Sequence, residues 1–216
     1  MGGVDWQAWH DRYDRPGPLQ RRLVMVRRRI SEALDGQAAG VIRVLSMCAG
    51  QGRDLLGVLA EHPRRAQVRA RLVESDSGNA RRAGDAARAA GLGGVEVVAG
   101  DASVTTAYAG IVPVRLALLC GMFGSLSEAD LRRTVAELPR LCGPGAVVIW
   151  TRHRDWPDRT PQIREMFAGS GFAEVAFDTD EGEEFGVGVH QLTGPALPYR
   201  SGVKLFEFAA DGARLW

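Results

Sequence analysis

The chain has 216 residues, 45% of them hydrophobic, and its 27 Lys and Arg nearly balance 26 Asp and Glu to leave a formal net charge of +1. A charge so close to neutral offers no global field to draw in nucleic acid or an anionic membrane, and no apolar run approaches the ~18 residues that cross a bilayer. A domain of this length buries a core that needs neither disulfide nor metal; the three cysteines, Cys48, Cys120 and Cys142, lack zinc spacing and point to a reducing cytoplasm.

The N-terminal stretch VDWQAWHDRYD gathers Trp6, Trp9, His10 and Tyr13 at spacings that share one helical face. Leu23, Val24, Val26, Ile30, Ala33 and Leu34, set among arginines, then predict an amphipathic helix over 21–34. A strand over 41–47 runs into a turn spaced by Gly50 and Gly52, where the missing Cβ atoms let backbone take positive φ and approach a ligand closely. The helix that follows, 53–61, carries Leu55, Leu56, Val58 and Leu59 on its apolar positions, and Asp54 stands in its first turn, where unpaired amides favour an acid. The second strand, 68–74, ends in Glu74, about twenty residues past the loop, where doubly wound folds place the acid that hydrogen-bonds a ribose.

Alternation continues with a helix over 77–90, a strand over 94–98 shortly before Asp101, a strand over 114–120, a helix over 127–140 and a strand over 145–151 with His153 just beyond it. A helix over 160–169 has Thr160 as its cap and Pro161 in its first turn, and a strand over 172–177 follows. Such alternation implies a parallel sheet covered on both faces. Because the carboxyl ends of parallel strands line one edge, the glycine turn, Glu74 and Asp101 are expected to meet in one crevice. The Gly- and Pro-rich GEEFGVGVHQLTGPALPYRSG reads as an excursion outside the core, and the KLFEF after it as a closing strand.

Over residues 41–177 this order of elements resembles the class I S-adenosylmethionine-dependent methyltransferases. Ser46, Cys48, Gly50 and Gly52 stand where that family has an acid and three alternating glycines, so Ser46 replaces the acid and Cys48 the first glycine. The resemblance implies S-adenosylmethionine as cofactor, with Glu74 on the ribose, Asp101 and the neighbouring Ala102 amide on the adenine, and Ala49, Ser75 and Gly100 beside them. Cys120, Gly121, Met122 and Phe123 of LALLCGMFGSLSEADLRR are then expected at the lip of the pocket, and LPRLCGPGAVVIWTRH as helix, Pro-Gly turn and fifth strand. The implied fold is a doubly wound Rossmann-like α/β domain over 41–216 with a seven-stranded, mostly parallel sheet and an antiparallel last strand. Residues 1–40 would form an N-terminal helical lid, though the aromatic stretch reads equally well as a staple to the core.

Methyl transfer is an in-line displacement in which alignment alone supplies several kcal/mol, roughly 7 or more in good cases, so a base is optional. His153 is the first candidate for one because it follows the fifth strand; His190, His10 and Tyr13 are the others, and His62 reads as an ordinary surface residue. Asp54 has two readings, a helix-start residue or a holder of the cofactor's ammonium. Arg152 and Arg154 flank His153 and suit a carboxylate or phosphate on a substrate, or are simply solvated. A small-molecule acceptor, in secondary metabolism, is favoured over nucleic acid because CGMFG, not an Asn-Pro-Pro-Tyr-like signature, follows the fourth strand. A non-catalytic cofactor-binding regulator or complex subunit is the alternative, a homodimer stays open, and a nicotinamide dehydrogenase is disfavoured by Leu55 at the third glycine position.

Overall fold

A computed structural model describes residues 15–179, 182 and 184–208. Trp6, Trp9, His10 and Tyr13 lie outside these residues. The sheet is built outward from β1 (Ile42–Met47), which pairs in parallel with β2 (Val68–Glu74) on one side and β4 (Val114–Leu119) on the other. β3 (Val95–Ala99) extends the sheet beyond β2, and β5 (Cys142–His153) extends it beyond β4. β7 (Phe185–Leu192) runs antiparallel between β5 and the edge strand β6 (Phe172–Thr179), giving the order β3-β2-β1-β4-β5-β7-β6. The order reverses between β1 and β4, and a doubly wound sheet opens its ligand crevice at the carboxyl ends beside that reversal.

Burial along nearly the whole of β1, β2 and β4 fits strands covered on both faces. One face carries α1 (Pro18–Asp35), α2 (Arg53–Leu59) and α3 (Ser77–Ala89), whose Val26, Ile30, Leu55, Leu59 and Ala83 pack on Val44, Leu72 and Leu118. The other carries α4 (Glu128–Leu141) and α5 (Thr160–Gly169) with Leu131, Val135, Ile163 and Phe167 against Leu45, Leu119 and Trp150. Local chemistry sets the helix starts: Asp76 accepts from the Asn79 amide at 2.7 Å, and Ser127 from the Asp130 amide at 3.1 Å. The expected Thr160 cap is displaced by one position; Thr160 is the first residue of α5, and Asp158 accepts from both its amide and its hydroxyl, each at 2.8 Å. Among the described residues no helix is long and apolar enough to cross a membrane.

At the C-terminal side two expectations about strands fail. The glycine-rich excursion contains β7, an almost wholly buried strand, while KLFEF makes only an isolated bridge, Val104 to Lys204, as Leu205 and Phe206 plug the core on the α4 face. The reason is steric. A Cβ on Gly188 would fall 2.2 Å from the Trp150 ring and one on Gly186 2.7 Å from Phe177, so these glycines make room for aromatic side chains inside a strand. In α1 the buried stripe is Leu19, Arg22, Val26, Ile30, Ala33 and Leu34, which leaves Val24 exposed and takes in an arginine.

Candidate functional site

The turn between β1 and α2 alternates left-handed residues: Cys48 at φ 51°, Gly50 at 55° and Gly52 at 65°. Cys48, replacing the first glycine, takes the backbone conformation that glycine adopts freely; it is the one non-glycine residue with positive φ among the described residues. Gly52 has a packing reason as well, since a Cβ there would lie 2.6 Å from Leu72 Cδ2, where α2 meets β2. Glu74, 8% exposed, fastens the turn: its Oε2 accepts from the Gly50 amide at 2.7 Å and its Oε1 from the Asp76 amide at 2.8 Å. Each carboxylate oxygen has a further acceptor position, so Glu74 can hold the turn and still receive hydroxyls.

Asp101 is placed one turn beyond β3 by the Gly100 amide, which donates to the Glu74 carbonyl at 2.9 Å. Its Oδ1 accepts from the Ser103 amide at 2.7 Å, and Lys204 Nζ stands 3.6 Å from Oδ2. Partial burial works to raise the Asp101 pKa, but the Ser103 hydrogen bonds and Lys204 outweigh it and hold the carboxyl below its ordinary value. Burial, aided by the charges of Glu74 and Asp101, pushes the Cys48 thiol well above its ordinary value. Glu74 thus links the turn after β1, through its side chain, to the segment after β3, through its carbonyl. Ser75 is exposed at the same edge, while Ala102 is buried and its carbonyl accepts from the Tyr108 hydroxyl.

At the other end of the crevice Ser46 is buried inside β1, in register with Leu72 and Leu118. Asp54 Oδ1 accepts from the adjacent Leu55 amide at 2.7 Å, and Gly52 is the N-cap residue. Burial raises the Asp54 pKa against the pull of that bond and of Arg22 and Arg27. Cys120 lies beside it, its thiol pushed up by burial and then by the Asp54 charge. Arg22, 7% exposed, sits over the Phe185 ring at 5.1 Å, with Nη2 3.9 Å from where a Gly121 Cβ would be. Sequence reasoning missed Arg22, although it occupies a buried-stripe position four residues before Val26. Met122 and Phe123 need correction: they turn into the core on the α4 face, Phe123 5.8 Å from Trp150, leaving Cys120 and Gly121 at the lip.

His153 is the last residue of β5. Its Nδ1 lies 2.8 Å from Asp155 Oδ1 without hydrogen-bond geometry, and its ring meets Phe185 edge-on at 4.8 Å. His190 does not belong to the site. It stands mid-strand in β7, opposite Val148, 1% exposed, where Nδ1 accepts from Trp150 Nε1 at 3.2 Å and the ring stacks on Phe167 at 4.4 Å. Burial lowers its pKa to about 4 despite Glu174. His62 is likewise buried, contrary to expectation, at the far end of α2, where Nδ1 accepts from the Arg64 amide at 3.2 Å. Arg154 pairs with Asp158 at 2.9 Å, whereas Arg152 turns inward and donates to the Phe123 carbonyl.

The chain matches no family model and no curated protein sequence. Solved structures do share its fold. An O-methyltransferase family protein from Burkholderia thailandensis superposes with TM-score 0.68 and 17% identity over 88% of this chain; the chain spans only 60% of that protein. Magnesium protoporphyrin IX methyltransferase from Synechocystis PCC 6803, with bound S-adenosylmethionine, gives TM-score 0.67 and 11% identity over 88% of this chain and 91% of the other. A 16S rRNA adenine-N1 methyltransferase variant from Catenulisporales acidiphilia gives 0.53 and 17% over 76% and 91%. The fold is thus that of the class I S-adenosylmethionine-dependent methyltransferases, and the acceptors named for the last two, a magnesium porphyrin and a ribosomal RNA adenine, differ widely.

Proposed function

We propose that the chain is an S-adenosylmethionine-dependent methyltransferase acting on a small-molecule acceptor in a reducing cytoplasm. The observation that carries this reading is the clasp of Glu74 on the Gly50 amide, with Asp101 held just past the neighbouring strand end by the Ser103 amide. The donor set fits the cofactor along its length. Free acceptor positions on Glu74 would take ribose hydroxyls, exposed Asp101 would take the adenine amino group, and the opposite charges of Arg22 and Asp54 suit the carboxylate and ammonium of an amino acid. In this reading the helical lid of residues 1–40 includes α1, which brings Arg22 to the strand ends.

S-adenosylmethionine, when bound, supplies an electrophilic methyl group on sulfur. What the chain's own residues would do is orient the reactants and exclude water, and His153 at the end of β5 would accept a proton from the acceptor where one must leave. The three cysteines are unbridged, in keeping with a reducing compartment. A second reading, a cofactor-binding regulator without turnover, is favoured by one fact: His153 is the only one of the described histidines at the ligand edge, and Asp155 already faces it.

Calorimetry separates these readings. S-adenosylmethionine and S-adenosylhomocysteine should bind and NAD should not; binding of NAD alone would overturn the assignment. Release of S-adenosylhomocysteine on incubation with hydroxyl, amine and carbon acceptors then distinguishes the enzyme from the regulator.

A further inference from the structure

On the α5 face, β5 and its neighbours bring together polar groups that the cofactor crevice does not use. Arg152 is in register with Gly186 of β7. A Cβ on Gly186 would lie 3.2 Å from Thr160 Cγ2, so the first residue of α5 rests on the cross-strand partner of Arg152, and Arg159 directly precedes it. Arg152 donates through Nη1 to the Phe123 carbonyl, which ties it to the Phe123–Ser125 turn after β4. Its Nε is buried with no partner, and the Ser125 hydroxyl, in the same turn and 8% exposed overall, has none either.

Among the described residues no carboxylate comes within 4 Å of the Arg152 or Arg159 guanidinium. The two nearby acids are engaged elsewhere, Asp158 by Thr160 and Arg154, and Asp155 by His153. Burial makes it harder for Arg152 to keep its charge and the like charge of Arg159 adds to that, and together they outweigh the pull of Asp158 and Asp155. A half-buried guanidinium with an orphaned donor and a cationic neighbour is unfavourable unless an anion completes it. The place is specific: it adjoins His153 on the same strand end, on the opposite face from Arg22.

We propose that Arg152, Arg159 and Ser125 form an anion subsite that holds a carboxylate or phosphate group of the methyl acceptor. Two guanidinium forks and a hydroxyl offer the donors that such a planar or tetrahedral oxyanion accepts. This assignment rests on the methyltransferase reading for the word acceptor, and on geometry alone for the anion. It makes Arg152 and Arg159 the determinants of specificity and leaves the cofactor half-site untouched.

The test is an amide NMR titration of the full chain with inorganic phosphate and with benzoate, without and with saturating S-adenosylhomocysteine. Either anion should shift the amides of 123–125 and 159–160. Arg159→Gln, at a half-buried position outside the core, should weaken that binding about tenfold or more, and Arg152→Gln more strongly, while affinity for S-adenosylhomocysteine stays the same. Response to phosphate but not benzoate would identify the group as a phosphate. Anion binding unchanged in a folded Arg159→Gln, or no shift with either anion, overturns the subsite. If the anions bind through Arg159 but S-adenosylhomocysteine does not bind at all, the subsite stands and the methyltransferase reading falls.

Discussion

One carboxylate, Glu74, does two things that mutation can separate: it fixes the turn through two amides and presents its remaining acceptor positions to the crevice. Glu74→Gln keeps one acceptor oxygen and puts a donor where the other was. It should weaken S-adenosylhomocysteine about 10- to 100-fold by calorimetry, the equivalent of ~1.5 to 3 kcal/mol for hydrogen bonds to a charged group. Cys48 gives a second prediction. Because its φ is 51°, Cys48→Val should destabilise by about 1 to 2 kcal/mol in urea, a β-branched side chain being strained there, whereas Cys48→Gly should keep cofactor affinity. His190 gives a third. An unfolded histidine titrates near 6.5 and folded His190 at about 4, so between these values the unfolded chain binds the proton and the native one does not. Stability is therefore full above pH 6.5 and falls as pH drops toward 4, by roughly 3 kcal/mol in all; His190→Gln should flatten that part of the stability curve, and an unchanged curve would refute the role. Glu74 and Asp101 were legible because strand-end acids need only position to be recognised. Arg22 was not, since an arginine in an apolar stripe looks like a break in the pattern until the charge it faces is known.

At the scale of elements, β7 was hidden by its own packing. Gly186 and Gly188 weaken any strand signal, yet they are there because Phe177 and Trp150 occupy the space that side chains would fill. Gly188→Ala should destabilise by about 3 kcal/mol, the upper range for forcing atoms into a filled core, read as a lowered urea midpoint with an unchanged slope; a neutral effect would mean that Trp150 can move. The first five strands were legible because each is a mostly apolar segment alternating with helical patterns; four of them are buried and β3 is half-buried. The C-terminal segment was not, because its apolar pair Leu205 and Phe206 fills the core without lying in a sheet, and only long-range bonds show it: Leu205 N to the Ser103 carbonyl at 2.7 Å and Thr105 N to the Val203 carbonyl at 3.0 Å. Those bonds also bring Lys204, the chain's one lysine, to Asp101.

For the molecule as a whole, a cofactor that binds only the native state must stabilise it. S-adenosylhomocysteine at a hundred times its Kd should add about 2.7 kcal/mol to unfolding in urea, while NAD should add nothing; equal stabilisation by both would remove the discrimination attributed to this crevice. The strand order also governs how the polypeptide comes to be finished. β6 is made before the strand that joins it to β5, so a nascent chain that has reached residue 184 carries a long unpaired backbone rim along β5 from Val147 to His153. Rims of that kind recruit other chains. β7 thus closes a gap that no earlier strand can fill, so shielding of the β5 rim until Phe185–Leu192 is made should raise the yield of folded chain.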